Sequence, residues 1–172
     1  MIFLRHPTPN VEKGTCYGRL DLDIAEIGHE QITLAHKTTP QVTKILASPA
    51  LRCRKLAHMI AERDGLEIIF DERLWEMDMG RWEGVMWKDI DRKLSEPWLK
   101  DPFNLPTPDG ESFKEVQARV LEALAEGHAD TAIICHAGPI RAMQMAWLGM
   151  SFAEVFAEQP AYAKPIILHP PE

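Results

Sequence analysis

Short apolar runs alternate with longer stretches of helical periodicity along this chain. Apolar runs short enough for buried strands occur at residues 1–5, 43–47, 66–70, 131–135 and 165–169. Apolar residues recur at helical spacing near residues 25–38, 49–63, 86–95, 112–126 and 139–148. This alternation predicts an α/β fold of three layers, α/β/α, in which a largely parallel central sheet is covered on both faces. No linker or repeat divides the chain, so we predict one domain over residues 1–172.

Local signals mark the ends of several predicted helices. Ser48 before Pro49 predicts a helix with the serine as N-cap and the proline as its first residue. Ser112 and Glu115 form a capping-box pattern, and Gly149 is placed to end the helix over 139–148. The helix over 112–126 is predicted to point an apolar stripe inward, made of Phe113, Val116, Val120, Leu121 and Leu124.

Composition narrows the class of protein. The chain has 172 residues, 45% hydrophobic and 26% charged, as expected of one globular domain. A net charge of −7 argues against a nucleic-acid-binding surface, so an anionic ligand would need a local basic pocket. Three cysteines without paired spacing predict free thiols in a reducing compartment. The His, Cys and acidic residues show no spacing typical of a zinc site, so a metal cofactor is not indicated. No run is long enough for a membrane span or a signal peptide, so we expect a cytoplasmic protein.

Candidate chemistry gathers where the predicted strands end. Arg5 and His6 follow the first apolar run, and His136 follows the run at 131–135. Arg52 falls in the first turn of the helix after the run at 43–47, where its charge adds to the helix dipole in favouring an anion. Ligands of open α/β sheets bind outside the carboxyl ends of the strands, so these four side chains are candidates for one site.

A carboxylate and a glycine-containing helix start add to this set. Glu76 lies among tryptophan and apolar residues in an irregular stretch, where a partly desolvated carboxyl group is suited to proton transfer. Ala137 and Gly138 would let the backbone approach whatever His136 contacts. Arginine matches phosphate oxygens with forked donors, and a neutral imidazole can attack phosphorus. The set therefore indicates a phosphate ester as ligand.

Four segments in this order resemble the histidine phosphatase superfamily, the phosphoglycerate-mutase-like proteins. They are Leu4-Arg5-His6, residues 48–52, residues 74–84 around Glu76, and residues 135–141 around His136. The resemblance implies a phosphoglycerate-mutase-like fold and a two-step reaction without a metal or other cofactor, in which His6 is phosphorylated and then hydrolysed. It further implies that Arg5, Arg52 and His136 hold the phosphoryl oxygens, while Glu76 acts first as general acid and then as general base.

Within that superfamily, residues 16–21 and 108–113 look similar to segments of the α-ribazole phosphatase branch. This similarity implies the substrate α-ribazole 5′-phosphate, an intermediate of cobalamin nucleotide-loop assembly, and it adds Gly18 to the substrate-binding residues. Three positions depart from the commoner family pattern. Pro7 and Ala137 stand where glycine is frequent, and the usual phosphate-side asparagine falls at Glu12 unless the loop is shorter, in which case Asn10 takes that role.

Several alternatives stay open at this point. The partner is expected to be a small phosphorylated metabolite, bound by a monomer or homodimer. Besides an α-ribazole phosphatase, the residues allow a broad-specificity metabolite phosphatase, a phosphoglycerate-type mutase or a non-catalytic module that binds phosphorylated ligands. The irregular stretch over residues 100–110 is either a lid or a surface connection. Four aromatic residues either pack this region, which we favour, or line a substrate pocket: Trp82, Trp87, Trp98 and Phe103.

Overall fold

A computed structural model describes residues 1–125 and 130–171 and contains the predicted alternation. The strands are β1 (Ile2–Arg5), β2 (Lys44–Ala47), β3 (Ile68–Phe70), β4 (Thr131–Cys135) and β5 (Pro165–Ile167). The α-helices are α1 (Glu26–Thr38), α2 (Leu51–Asp64), α3 (Arg92–Lys100), α4 (Phe113–Leu124), α5 (Ala137–Leu148) and α6 (Phe152–Ala157). Short 3-10 helices cover Glu72–Leu74, Gly80–Trp82 and Trp87–Asp89. Within those two described ranges, no helix is both long and apolar enough to cross a bilayer.

The five strands form one sheet in the order β3-β2-β4-β1-β5. The first four run parallel, and β5 pairs antiparallel with β1. The prediction of a largely parallel sheet is therefore confirmed, with an antiparallel edge strand. In the register, Arg5 lies beside Cys135, so the residues that follow β1 and β4 emerge next to each other. The topology thus places His6 and His136 at one edge of the sheet.

Alternate residues of the strands point to opposite faces of the sheet, and each face packs against helices to form a separate hydrophobic core. Ile2 and Leu4 of β1 pack with α2, whereas Phe3 packs with α4 and α5. Because every residue of β4 is buried, both faces of the sheet must be covered. The three-layer arrangement predicted from the alternation of elements is the one observed.

Two helices at the carboxyl edge of the sheet begin elsewhere than predicted. Helix α2 starts at Leu51 after Ala50 as N-cap, so the prediction of Ser48 as N-cap and a start at Pro49 was wrong. The side chain of Ser48 is instead engaged with His136. Helix α5 starts at Ala137 rather than at residue 139, because the backbone becomes helical directly after His136.

The region after the tryptophan-rich stretch differs most from prediction. The helix expected near 86–95 is replaced by a 3-10 turn and by α3, which begins after Asp91 because that carboxylate accepts a hydrogen bond from the Lys93 N–H.

Helix α6 was not predicted, although Ser151 and Glu154 form a capping box that the sequence displays. The strands predicted over 66–70 and 165–169 are shorter, at Ile68–Phe70 and Pro165–Ile167.

Helix α4 follows its sequence signals closely. The capping box of Ser112 and Glu115 is present, and Gly149 ends α5 in the left-handed conformation with φ of 67°. The predicted last residue, at position 126, lies outside the described residues. Leu121 was wrongly placed in the inward stripe, since it is 37% exposed, while the other four members of the stripe are buried.

Candidate active site

Four basic side chains meet at the carboxyl edge of the sheet. Arg5 is the last residue of β1, His6 follows it, His136 follows β4, and Arg52 lies in the first turn of α2. All four are buried, with exposures of 6%, 1%, 0% and 0% for Arg5, His6, Arg52 and His136. The two imidazole rings are 5.1 Å apart between centroids. The structure thus brings together the four residues that the sequence singled out at its strand ends.

His6 is held as a neutral imidazole of defined tautomer. Its Nδ1 lies 2.7 Å from the carbonyl oxygen of Pro7, which can only accept, so Nδ1 carries the proton and Nε2 carries the lone pair. Burial lowers the pKa of His6 well below 6.5, and the charges of Arg52 and Arg5 lower this pKa further, against an opposing effect of the Pro7 carbonyl. A neutral imidazole with a free Nε2 lone pair is a nucleophile.

His136 is fixed in the opposite tautomer by two partners. The Arg52 guanidinium, which can only donate, contacts Nδ1 at 3.2 Å, so Nε2 carries the proton and donates to Ser48 Oγ at 2.8 Å. The ring also stacks on Trp75, with centroids 6.0 Å apart. Burial, and then the charge of Arg52, lower the pKa of His136 well below 6.5. Ser48 was missed as a site residue because its position before proline indicated only a helix cap.

The two buried histidines predict acid destabilisation that begins near neutral pH. As the pH falls through 6.5, the unfolded chain binds protons at both positions while the folded protein does not, so stability is complete above 6.5 and declines below it. Each histidine adds up to about 1.4 kcal/mol per pH unit to this slope. Urea unfolding between pH 7.5 and 5.5 should show the decline, and His136→Gln should reduce the slope by about half. The exposed control His29→Gln should leave it unchanged, and a flat stability over this range would contradict the account.

Gly18 positions the Arg52 guanidinium. Arg52 donates to the carbonyl oxygens of Gly18 and Leu20 at 2.8 and 2.7 Å. A Cβ at position 18 would overlap the Met77 carbonyl, so only glycine allows this approach. The Glu83 carboxylate accepts from the backbone N–H groups of Gly18 and Leu20, which fixes the loop that carries both carbonyls. The predicted substrate-binding residue Gly18 therefore contacts Arg52 through its backbone.

Arg5 is held by the segment that precedes β5. Its Nη1 donates to the Pro160 carbonyl at 2.9 Å and to Gln159 Oε1 at 3.2 Å, and its guanidinium lies 3.8 Å from the ring centroid of Tyr162. Among the described atoms, the Nε groups of Arg5 and Arg52 are buried without a hydrogen-bond partner. Buried donors without partners are costly, and an anionic ligand that reached either group would supply a partner. No sequence pattern indicated Tyr162, which lies 156 positions from His6 along the chain.

Glu76 lies against the N-terminus of α5. Its Oε1 accepts from the Gly138 N–H at 3.0 Å and from the Met77 N–H at 3.1 Å. A Cβ on residue 138 would overlap Oε1, so a larger residue there would displace the carboxylate from this position. Arg119 donates to the backbone carbonyl of Glu76 at 3.0 Å, which fixes the irregular stretch that carries the carboxylate. The structure thus places Glu76 beside the helix that begins immediately after His136.

The other two predicted binding residues differ in their settings. Ala137 is buried as the first residue of α5, one residue before the Gly138 N–H that donates to Glu76. Asn10 is exposed, and its backbone N–H donates to the Asp23 carbonyl at 2.7 Å. A role for Asn10 in binding phosphate stays a prediction. In residues 1–125 and 130–171, no cluster of three or more metal-binding side chains is found.

The four aromatic residues of the irregular region divide between packing and a cavity. Trp82 is buried in the core, and Phe103 packs against the Phe113 ring. Trp87 and Trp98 line a cavity of about 350 Å³ that also contacts Glu76. Packing, which the sequence favoured for all four, holds for Trp82, Phe103 and Trp98, since Trp98 also packs against the core. Trp87 and Trp98 in addition contribute to a pocket.

Comparison with known proteins places this arrangement in a family. The profile of the histidine phosphatase superfamily (branch 1) matches residues 1–170. The chain belongs to this superfamily. Phosphoserine phosphatase 1 of Hydrogenobacter thermophilus is 30% identical over 168 residues, which cover 91% of this chain and 80% of that protein. A histidine phosphatase with such relatives is a phosphoric monoester hydrolase.

Solved structures of phosphatases share this fold. Mycobacterial glucosyl-3-phosphoglycerate phosphatase in complex with inorganic phosphate has a TM-score of 0.80 and 27% identity, covering 94% of this chain and 85% of that one. The α-ribazole phosphatase of Shigella flexneri has a TM-score of 0.84 over 94% and 86% of the two chains. Its identity of 20% makes this a likeness of fold alone. The phosphoglycerate-mutase-like fold is confirmed, and the substrate is open to proposal.

Proposed function

We propose that this histidine phosphatase hydrolyses phosphate monoesters through a phosphohistidine formed on His6. The observation that carries the proposal is the Nε2 lone pair of a neutral, buried His6 beside Arg5 and Arg52, whose buried Nε groups have no partner among the described atoms. A nucleophile next to unsatisfied cationic donors suits attack on a phosphoryl group, whose charge those donors stabilise.

The proposed reaction has two balanced steps. In the first, His6 Nε2 forms a bond to phosphorus while the bond from phosphorus to the ester oxygen breaks, and the Glu76 carboxyl group gives its proton to the departing alcohol. In the second, the Glu76 carboxylate takes a proton from water, the resulting oxygen bonds to phosphorus, and the bond to His6 breaks, which releases inorganic phosphate. Arg5, Arg52 and His136 stabilise the phosphoryl oxygens in both steps.

We propose α-ribazole 5′-phosphate as the substrate. Support comes from the similarity of residues 16–21 and 108–113 to the α-ribazole phosphatase branch, and from the place of Tyr17, within the first of these segments, in the wall of the cavity at Glu76. Phosphoserine and glucosyl-3-phosphoglycerate, named for two relatives, are the natural competitors in a test.

The proposal is tested by hydrolysis of a panel of esters without added metal. The panel contains α-ribazole 5′-phosphate, phosphoserine, glucosyl-3-phosphoglycerate and 3-phosphoglycerate, and kcat/KM is measured for each. We expect the ribazole ester to exceed the others by at least about tenfold, or about 1.4 kcal/mol in transition-state binding. A higher kcat/KM for phosphoserine would overturn the substrate assignment, and isomerisation of 3-phosphoglycerate would indicate a mutase. Failure to hydrolyse any ester would overturn the mechanism as well.

A further inference from the structure

A cavity lined mainly by apolar residues lies beside Glu76, next to the proposed reaction centre. It has a volume of about 350 Å³, in the range of small-molecule sites, and Glu76 and Gly138 are among the residues that line it. Of its thirteen lining residues, only Glu76 and Arg141 carry a charge. Six are aromatic: Tyr17, Trp87, Trp98, Phe113, Phe152 and Phe156.

The aromatic walls are ordered by contacts between rings. Trp87 and Trp98 stack with centroids 6.1 Å apart. Phe152 and Phe156 stack at 4.2 Å, and both meet Phe113 edge to face, at 5.3 and 5.5 Å. Such pairs stabilise a fixed arrangement of rings and present flat faces and edges to a ligand. The shape of the cavity is therefore fixed by packing between the aromatic rings that line it.

Arg141 is engaged by the protein. Its Nε donates to the Val155 carbonyl at 2.9 Å, its Nη2 lies 3.4 Å from the Glu158 carbonyl, and its guanidinium stands 4.2 Å from the Phe156 ring centroid. These contacts anchor α6, which carries Phe152 and Phe156, to α5. Arg141 thus holds one aromatic wall of the cavity in place. Few polar groups in the cavity are left to bind a polar ligand.

We propose that this cavity binds a flat, apolar ring in the alcohol portion of the substrate. The inference rests on the proposed function, because Glu76 protonates the leaving oxygen and the rest of the alcohol must then lie beside Glu76, where the cavity lies. Trp87 and Phe156 are 42% and 41% exposed, so a ring placed there would remove apolar surface from water. The substrate class is a phosphate ester of an alcohol that carries an aromatic ring system, and small zwitterionic alcohols gain little from these walls.

Two synthetic esters test the proposal with equal chemistry at phosphorus. Ethyl phosphate and 2-(2-naphthyl)ethyl phosphate are both primary alkyl esters, so they differ mainly in the ring. We expect kcat/KM to be about 100-fold higher for the naphthyl ester. The increase should come from a lower KM, because burial of an apolar ring strengthens binding. Equal values for the two esters would overturn the proposal. A preference for phosphoserine over the naphthyl ester would also overturn it.

Variants of the half-exposed walls separate ring binding from folding. Trp87→Ala and Phe156→Ala should each lower kcat/KM for the naphthyl ester about tenfold through KM, and leave ethyl phosphate unchanged. Leu94→Ala is the matched control, since Leu94 is 50% exposed, lies on α3 with Trp98 and is absent from the cavity wall. Loss of activity on both esters in the two wall variants would indicate structural damage and would contradict a role in selecting the ring.

A binding measurement distinguishes failure of this inference from failure of the proposed function. The non-hydrolysable phosphonates 2-(2-naphthyl)ethylphosphonate and ethylphosphonate are titrated by calorimetry into the wild type and Trp87→Ala. Tighter binding of the naphthyl compound by the wild type, weakened in the variant, supports the ring site even if no ester is hydrolysed. Hydrolysis of ethyl phosphate that requires His6, with equal binding of both phosphonates, keeps the proposed function and overturns the ring site.

Discussion

His6→Ala is expected to lower kcat for any phosphate monoester by about 10⁴-fold or more, because it removes the atom that forms the bond to phosphorus. The hydrogen bonds of the two imidazoles support His6 rather than His136 as the proposed nucleophile. Both nitrogens of His136 are engaged, Nδ1 by Arg52 and Nε2 by Ser48, whereas the Pro7 carbonyl holds only Nδ1 of His6. His136→Ala should therefore lose transition-state stabilisation while keeping the nucleophile, with a smaller fall in kcat of about 10²- to 10³-fold.

Labelling of the enzyme separates these two roles directly. With a ³²P-labelled ester and rapid quenching in alkali, where phosphohistidine is stable, the wild type and His136→Ala should carry label and His6→Ala should carry none. His29→Ala, an exposed histidine on α1, is the control for general effects of losing an imidazole. Label on His6→Ala that disappears in His136→Ala would reverse the assignment. Circular dichroism of each variant shows that the fold is retained.

Most residues of the proposed phosphate site could be predicted because strand ends are visible in a sequence. An apolar run fixes where β1 and β4 end, and parallel pairing then brings the next residues of each strand together, so His6 and His136 become neighbours without any long-range information. Arg52 is predictable for a similar reason, since a helix that starts after a strand places its first turn at that same edge.

The rest of the site depends on contacts that no local pattern records. Ser48 precedes a proline, and its hydroxyl could either cap a helix or accept a hydrogen bond from His136. Only the packed structure decides between these two roles. Tyr162 reaches Arg5 from a segment without periodicity. The cavity forms between α3, which was predicted at the wrong position, and α6, which was not predicted. A site wall assembled from such peripheral elements cannot be located before their packing is known.

Glu76→Gln is expected to lower kcat for a primary alkyl ester by about 10²- to 10⁴-fold, because the amide cannot donate the proton that the departing alkoxide needs. The substitution is nearly isosteric, and the glutamine oxygen can still accept from the Gly138 and Met77 N–H groups, so the geometry at the start of α5 should be retained. With 4-nitrophenyl phosphate, the leaving group is a stable phenolate that needs no proton. The first step, transfer of the phosphoryl group to His6, should therefore be almost unaffected for this ester. The second step still needs a base to activate water.

The variant should consequently release 4-nitrophenol in a rapid burst of one equivalent and then turn over slowly, with phosphohistidine accumulating on His6. Stopped-flow absorbance measures the burst, and alkaline quenching measures the phosphoenzyme. Glu72→Gln is the matched control, since Glu72 is an exposed carboxylate in the 3-10 helix just before Glu76. An equal loss on the alkyl and nitrophenyl esters, without a burst, would mean that Glu76 holds the backbone of α5 in place, because a purely positional defect slows attack on every ester alike.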